Sequence, residues 1–130
     1  MDSITIRPLL PAEYPLLHRF TALAVHTPPG YQPASLSIAD DPGLQAYWQG
    51  FGQAQDTAWA AVQQQQIIGM AWARLFPSGA PGYGWLDPHT PELSLAVEPA
   101  FRGEGVGTRL LRALLASLTA DGTRQVSLSV

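Results

Sequence analysis

The chain has no cysteine among its 130 residues. Disulfides, thiolate metal sites and cysteine nucleophiles are therefore excluded. It has no lysine either, so its only fixed cations are seven arginines. That removes Schiff-base chemistry and the Gly-Lys-Ser/Thr ending of a Walker phosphate loop. The net charge is −3, and no basic cluster is present to neutralise a nucleic-acid backbone. A mildly acidic chain attracts a cationic partner, such as an amine, more readily than an anionic one. Only 13% of residues are charged while 46% are hydrophobic, which favours a buried core over disorder. No apolar run is long enough to span a bilayer, so no membrane partner is expected. The opening MDSITIRPLL lacks the basic start and long apolar core of a signal peptide, which makes a cytoplasmic location the expectation. The three histidines are scattered and no H-E-x-x-H is present, so no metal is expected. There is no G-x-S-x-G elbow. The length suits one domain over residues 1–130.

What is present centres on Leu93 to Leu118. Leu93, Leu95 and Val97 alternate with Ser94 and Ala96, the period of a strand. Glu98-Pro99 ends it. From Thr108 the period becomes helical, with Leu110, Leu111, Leu114, Leu115 and Leu118 on one face. Asp121-Gly122 is a C-terminal stop. Between strand and helix lie Gly103, Gly105 and Gly107. The first turn of a helix leaves backbone N–H groups without partners, and the helix dipole adds partial positive charge there. Glycines let a bulky anion approach those groups, so the segment is a candidate phosphate or pyrophosphate site. Arg102 adds a fixed positive charge at its entrance. The dinucleotide pattern G-x-G-x-x-G fails, because the third glycine would fall on Thr108 or Leu110.

What remains is R-x-x-G-x-G, carried by Arg102, Gly105 and Gly107. With "LAVEP" before it and "TRLLRALL" after it, this resembles the acyl-CoA-binding motif of the GNAT superfamily of N-acetyltransferases. The resemblance implies an α/β (α+β) fold: a mixed, mostly antiparallel sheet with a parallel central strand pair, flanked by helices. It implies acetyl-CoA as co-substrate, with no metal. It also implies that the strand pairs with the pantetheine arm while the loop amides hold the pyrophosphate. The cofactor-binding candidates are then Leu95, Ala96, Val97, Arg102, Gly103, Glu104, Gly105, Val106, Gly107 and Thr108. Glu104 reads as solvated, since a carboxylate aimed at pyrophosphate would repel it.

The remainder is read in order. Ser3 to Arg7 alternates as a first strand, closed by Pro8. A helix from Pro11 to about Val25 places Tyr14, Leu17, Phe20 (or Thr21) and Ala24 near one face. His26 to Pro42 reads as loop. Asp41-Pro42 caps a short helix from Gly43 to about Gln53, weakened by Gly50 and Gly52. Thr57 to Gln63 and Ile67 to Phe76 read as strands joined at Gln64 to Gln66. Trp59 and Trp72 read as core. Pro77 to Pro91 is a long turn-rich segment of the kind that often carries function. Arg124 to Val130 reads as a last strand, parallel to Leu93–Val97 by the handedness rule.

The resemblance implies direct transfer of an acetyl group to the amine of a small-molecule or peptide acceptor. The amine must be neutral to attack, so something must take its proton. Glu92 is the catalytic candidate, standing on the face opposite Leu93, Leu95 and Val97. A backbone N–H near Ala96–Val97 is the candidate donor to the thioester carbonyl. Thr27 to Ser37, Tyr83, Trp85 and His89 are candidates to border the acceptor. A complete domain of this kind normally continues with another helix, which usually carries a tyrosine thought to protonate the departing thiolate, and two more strands. Nothing in this chain stands in that place. Three readings stay open: a fragment, completion by homodimerisation through the C-terminal strand edge, or a short form that holds acyl-CoA without efficient catalysis. The N-terminal half of a tandem GNAT protein is a further variant of the first.

Overall fold

The computed structural model describes residues 3–25, 36–53, 55–76 and 89–128. Five strands form one sheet: β1 (Thr5–Pro8), β2 (Thr57–Gln63), β3 (Gln66–Arg74), β4 (Glu92–Val97) and β5 (Ser127–Leu128). They lie in chain order across the sheet. β1 to β4 pair antiparallel, and β4 pairs parallel with β5. The helices are α1 (Leu17–Ala24), α2 (Pro42–Gln45) and α3 (Val106–Ala120). The parallel pair expected from the sequence is β4–β5, and it stands at one end of the described sheet rather than at its centre.

Local chemistry explains most boundaries. Pro8 belongs to β1 rather than closing it, because an edge strand tolerates a residue with no N–H to donate. The helix expected over 11–25 is divided. Pro11–Leu16 is a 3-10 segment containing Pro15, and α1 begins only at Leu17. Proline inside a helix removes a donor and clashes with the preceding turn, so the wider winding starts beyond it. Asp41 caps α2 as expected, its Oδ1 accepting from the Gly43 amide at 2.8 Å. That helix ends at Gln45, well before Gln53. Gln64 and Gln65 close the β2–β3 hairpin with φ of 51° and 65°, the left-handed pair a tight two-residue turn requires.

β3 is covered on both faces, and Ile67 to Ala73 are all buried. On one side Leu17 and Phe20 of α1 pack with Met70, Trp72 and Ala96. On the other, Val106, Leu110, Leu114 and Leu118 of α3 pack with Ile68, Ala71 and Leu93. The leucine face read from the sequence is thus the buried face, with Leu111 and Leu115 at its margin. Gly69 makes the close approach of α3 possible. A Cβ there would lie 3.1 Å from Leu110 Cδ1 and 3.3 Å from the Ala96 carbonyl oxygen. α3 ends at Ala120, with Asp121 as its C-cap and Gly122 following at φ 87°. No helix among the described residues is long and apolar enough to cross a membrane.

Candidate active site

The chain leaves β4 through Glu98 and a 3-10 turn, Pro99–Phe101. The Phe101 and Arg102 amides are used within that turn, donating to the Glu98 and Pro99 carbonyls. From Gly103 to Thr108 no amide has a hydrogen-bond partner among the described residues. The first bond of α3 runs from the Arg109 amide to the Gly105 carbonyl, at 3.1 Å. No side chain caps this helix. The start of a fifteen-residue dipole therefore presents bare N–H groups, an arrangement suited to an anion.

The three glycines do different jobs. Gly103 and Gly105 have φ of 81° and 82°, a conformation that side-chain-bearing residues resist. A Cβ at either would meet nothing within 4 Å, so the space in front of them is open. Gly107 has no such φ, and its Cβ would touch Leu95 Cδ2 at 3.4 Å. It seats the helix against β4. A cleft of about 370 Å³ lies here, walled by Leu95, Val97, Phe101, Arg102, the glycines and Leu111. Arg102 is exposed and anchored, its Nε donating to the Val97 carbonyl at 3.1 Å.

One bond sets the phase of β4. The Glu98 amide donates to the Ile68 carbonyl, so the even-numbered residues of β4 exchange hydrogen bonds with β3. The backbone groups of Leu93, Leu95 and Val97 point the other way. There β5 pairs opposite Glu92 and Leu93 only. Beyond Leu93 no described residue pairs with this edge of β4, so among the described residues the Leu95 and Val97 amides have no backbone partner.

Leu95 is also where a second hollow begins. This cavity, of about 580 Å³, lies between β4, α1 and α2. Glu92 lines it and is only 2% exposed. The Tyr47 hydroxyl, from the turn after α2, donates to Glu92 Oε2. Tyr47 is itself held firmly. The Trp72 indole donates to its carbonyl at 3.0 Å. Arg74, paired with Asp56 at 3.1 Å, donates to the neighbouring Ala46 carbonyl at 3.0 Å. The Phe76 ring meets the Tyr47 ring edge-on with centroids 5.1 Å apart. A carboxylate that would be costly to bury alone is thereby hydrogen-bonded by a rigid partner.

A family model for the acetyltransferase (GNAT) family matches residues 18–130. The chain belongs to that family. Membership places it among the acyltransferases. No curated protein matches the chain. Solved structures carry the same fold. A GCN5-related N-acetyltransferase from Ralstonia eutropha is 18% identical with a TM-score of 0.71, over 98% of this chain and 84% of that one. A GNAT family acetyltransferase from Brucella melitensis, in complex with acetyl-CoA, is 25% identical with a TM-score of 0.64, over 98% and 76%. The aminoglycoside N-acetyltransferase AAC(6')-Iy, in complex with a bisubstrate analogue of CoA and acetylneamine, is 19% identical with a TM-score of 0.61, over 98% and 80%.

Most residues read from this GNAT sequence as cofactor-binding come together in the cleft: Leu95, Val97, Arg102, Gly103, Gly105, Val106, Gly107 and Thr108. Ala96 does not. Its side chain is buried among the α1-side core and its amide faces β3, so an oxyanion donor near Ala96–Val97 could come from Val97 but not Ala96. Glu104 is exposed, in keeping with a solvated carboxylate. Glu92 lies on the face opposite Leu93, Leu95 and Val97, as its register requires. Trp72 is core, yet it also lines the second cavity, so core and site are not alternatives for it. His89 is exposed just ahead of β4. Thr27 to Ser35, Tyr83 and Trp85 lie outside the described residues. Sequence reasoning missed Tyr47 altogether, since 45 positions separate it from Glu92.

Proposed function

We propose that the chain transfers the acetyl group of acetyl-CoA to the amine of a small-molecule acceptor. The observation that carries this reading is the run of amides from Gly103 to Thr108 that have no partner among the described residues, beside Leu95 and Val97 of β4. The pyrophosphate of coenzyme A suits the amides and Arg102. The pantetheine arm, itself an amide chain, suits the N–H groups of Leu95 and Val97 and the C=O of Leu95; the Val97 C=O already accepts from Arg102. The thioester would then lie near Leu95, where cleft and cavity meet. The complexes of the Brucella protein with acetyl-CoA and of AAC(6')-Iy with a bisubstrate analogue support the same reading.

The chemistry follows from the two hollows. A neutral amine in the cavity attacks the thioester carbonyl, the C–N bond forms, and the C–S bond breaks. Glu92 takes the proton the nitrogen loses, and the sulfur leaves as the thiolate, which is finally protonated to the thiol. The Val97 N–H is the candidate donor to the carbonyl oxygen as charge builds on it. Tyr47 holds the Glu92 carboxylate in place. The test is thermal denaturation with coenzyme A. The melting temperature should rise with ligand concentration, and Gly105→Glu should abolish the rise. An unchanged melting curve at millimolar coenzyme A would overturn the reading.

A further inference from the structure

We infer that the acceptor is a monoamine with an apolar body, one neutral hydrogen-bonding group and no carboxylate. This rests on the acetyl-transfer reading above and narrows its substrate class. Charge comes first. The described wall of the cavity holds two carboxylates, Asp41 and Glu92, and no cationic side chain. The arginines are engaged or remote. Arg7 pairs with Glu13, Arg19 with Glu98 and Arg74 with Asp56. Arg102 and Arg109 are bonded to the Val97 and Ile4 carbonyls. Arg112 and Arg124 are exposed and outside the cavity. Residues 26–35 and 77–88 contain no arginine or lysine at all. An acceptor carboxylate would meet two like charges and lose its water without compensation. An ammonium meets the opposite situation: it is drawn in by the same two carboxylates.

The rest of the wall sets the body of the ligand. Val25, Ile38, Leu44, Trp72 and Leu93 give it an apolar surface. A polyhydroxylated amine would leave most of its hydroxyls against these carbons. Beside Tyr47 and Ser94, one neutral polar group of this wall stands out. Thr21 of α1 lines the cavity and is 3% exposed, and its Oγ1 has no hydrogen-bond partner among the described residues. Buried hydroxyls are normally satisfied, and an orphan is an exception that calls for a reason. Here the reason is the ligand: one hydroxyl or carbonyl on the acceptor completes the Thr21 bond while its amine lies at Glu92.

Calorimetric titration of the full chain, with and without coenzyme A, tests this with four probes: 2-phenylethylamine, 2-amino-1-phenylethanol, phenylalanine and the aminoglycoside kanamycin. The two monoamines should bind, the hydroxylated one about tenfold tighter, and the other two at least about tenfold weaker than either. Thr21→Val should erase the preference, bringing the affinity for the hydroxylated amine down to that for 2-phenylethylamine. Thr21→Ser should keep the preference, and it serves if the valine variant fails to fold. Tighter binding of phenylalanine or kanamycin, binding of no monoamine under either condition, or a preference that survives Thr21→Val would overturn the inference. Coenzyme A titrated alone reads the acetyl-transfer proposal separately: its failure to bind would sink that proposal, while amine selectivity without coenzyme A reads the cavity itself.

Discussion

The cleft beside α3 and the cavity beneath α1 share Leu95 but are assembled from different material. The polar part of the cleft is mostly backbone. It is a run of consecutive amides, set by two left-handed glycines and a helix start, with Arg102 and Thr108 beside them. The cavity is mostly side chain. Its polar groups are Thr21, Asp41, Tyr47, Glu92 and Ser94, contributed by α1, the α2 region and β4 and converging on one space. A backbone site recognises what every acyl-CoA has in common, because it reads only charge and shape. A side-chain site can change one wall at a time, and with it the acceptor. The pairing lets one family keep a donor while varying its partner.

That division can be broken by mutations that cross it. The largest effect is expected from Glu92→Gln, which should lower turnover by about 10² to 10⁴ while acetyl-CoA binding, followed by calorimetry, stays within about twofold. Gly105→Glu should do the reverse. It should weaken coenzyme A binding by about 100-fold or more, through charge repulsion and a strained φ, while amine binding persists. If either variant damaged both hollows equally in a protein of native circular dichroism, the two sites would not be separable. Leu114→Ala probes their common support, since Leu114 is fully buried beneath α3. A loss of about 2–5 kcal/mol in chemical denaturation is expected, with both activities surviving in whatever remains folded. Tyr47→Phe removes the donor to Glu92 without emptying its space. It should reduce kcat about tenfold and leave coenzyme A binding alone; an unchanged kcat would reduce the hydroxyl to a packing detail.

The smallest effect belongs to a control remote from both hollows. Glu13 accepts bidentate hydrogen bonds from Arg7 at 2.9 and 2.8 Å, and a third from the Leu10 amide at 2.9 Å. The Arg7 bonds hold its carboxyl below the ordinary value of 4.5. A depressed carboxyl stabilises the fold above that value and loses its contribution as pH falls through its folded value. Glu13→Gln should therefore cost about 1 kcal/mol or less at neutral pH. The gap from wild type should narrow below pH 4.5 in urea titrations. A gap that widened on acidification would assign the pair the wrong sign.

The same division decides what could be read before any coordinates. Leu93 to Leu118 was legible because strand, loop and helix are contiguous and their periods differ. Asp41-Pro42 was legible because a cap and a first-turn proline are neighbours. The first helix was misread at its start, because the apolar spacing from Tyr14 to Ala24 ran straight through Pro15. Tyr47 carried no signal, since a tyrosine after a four-residue helix looks like any other. Nor could periodicity show that the Thr21 hydroxyl would be left without a partner, because that depends on what α1 meets across the sheet.

Gly69 lies outside both hollows, yet the hydrogen it carries in place of a methyl group fixes how low α3 rides on β3. The glycine loop runs straight into this helix, so lifting α3 at Leu110 would carry the turn at Gly105 away from the mouth at Leu95. Alanine at position 69 would thus be felt first as a misalignment of donor and acceptor rather than as a loss of either.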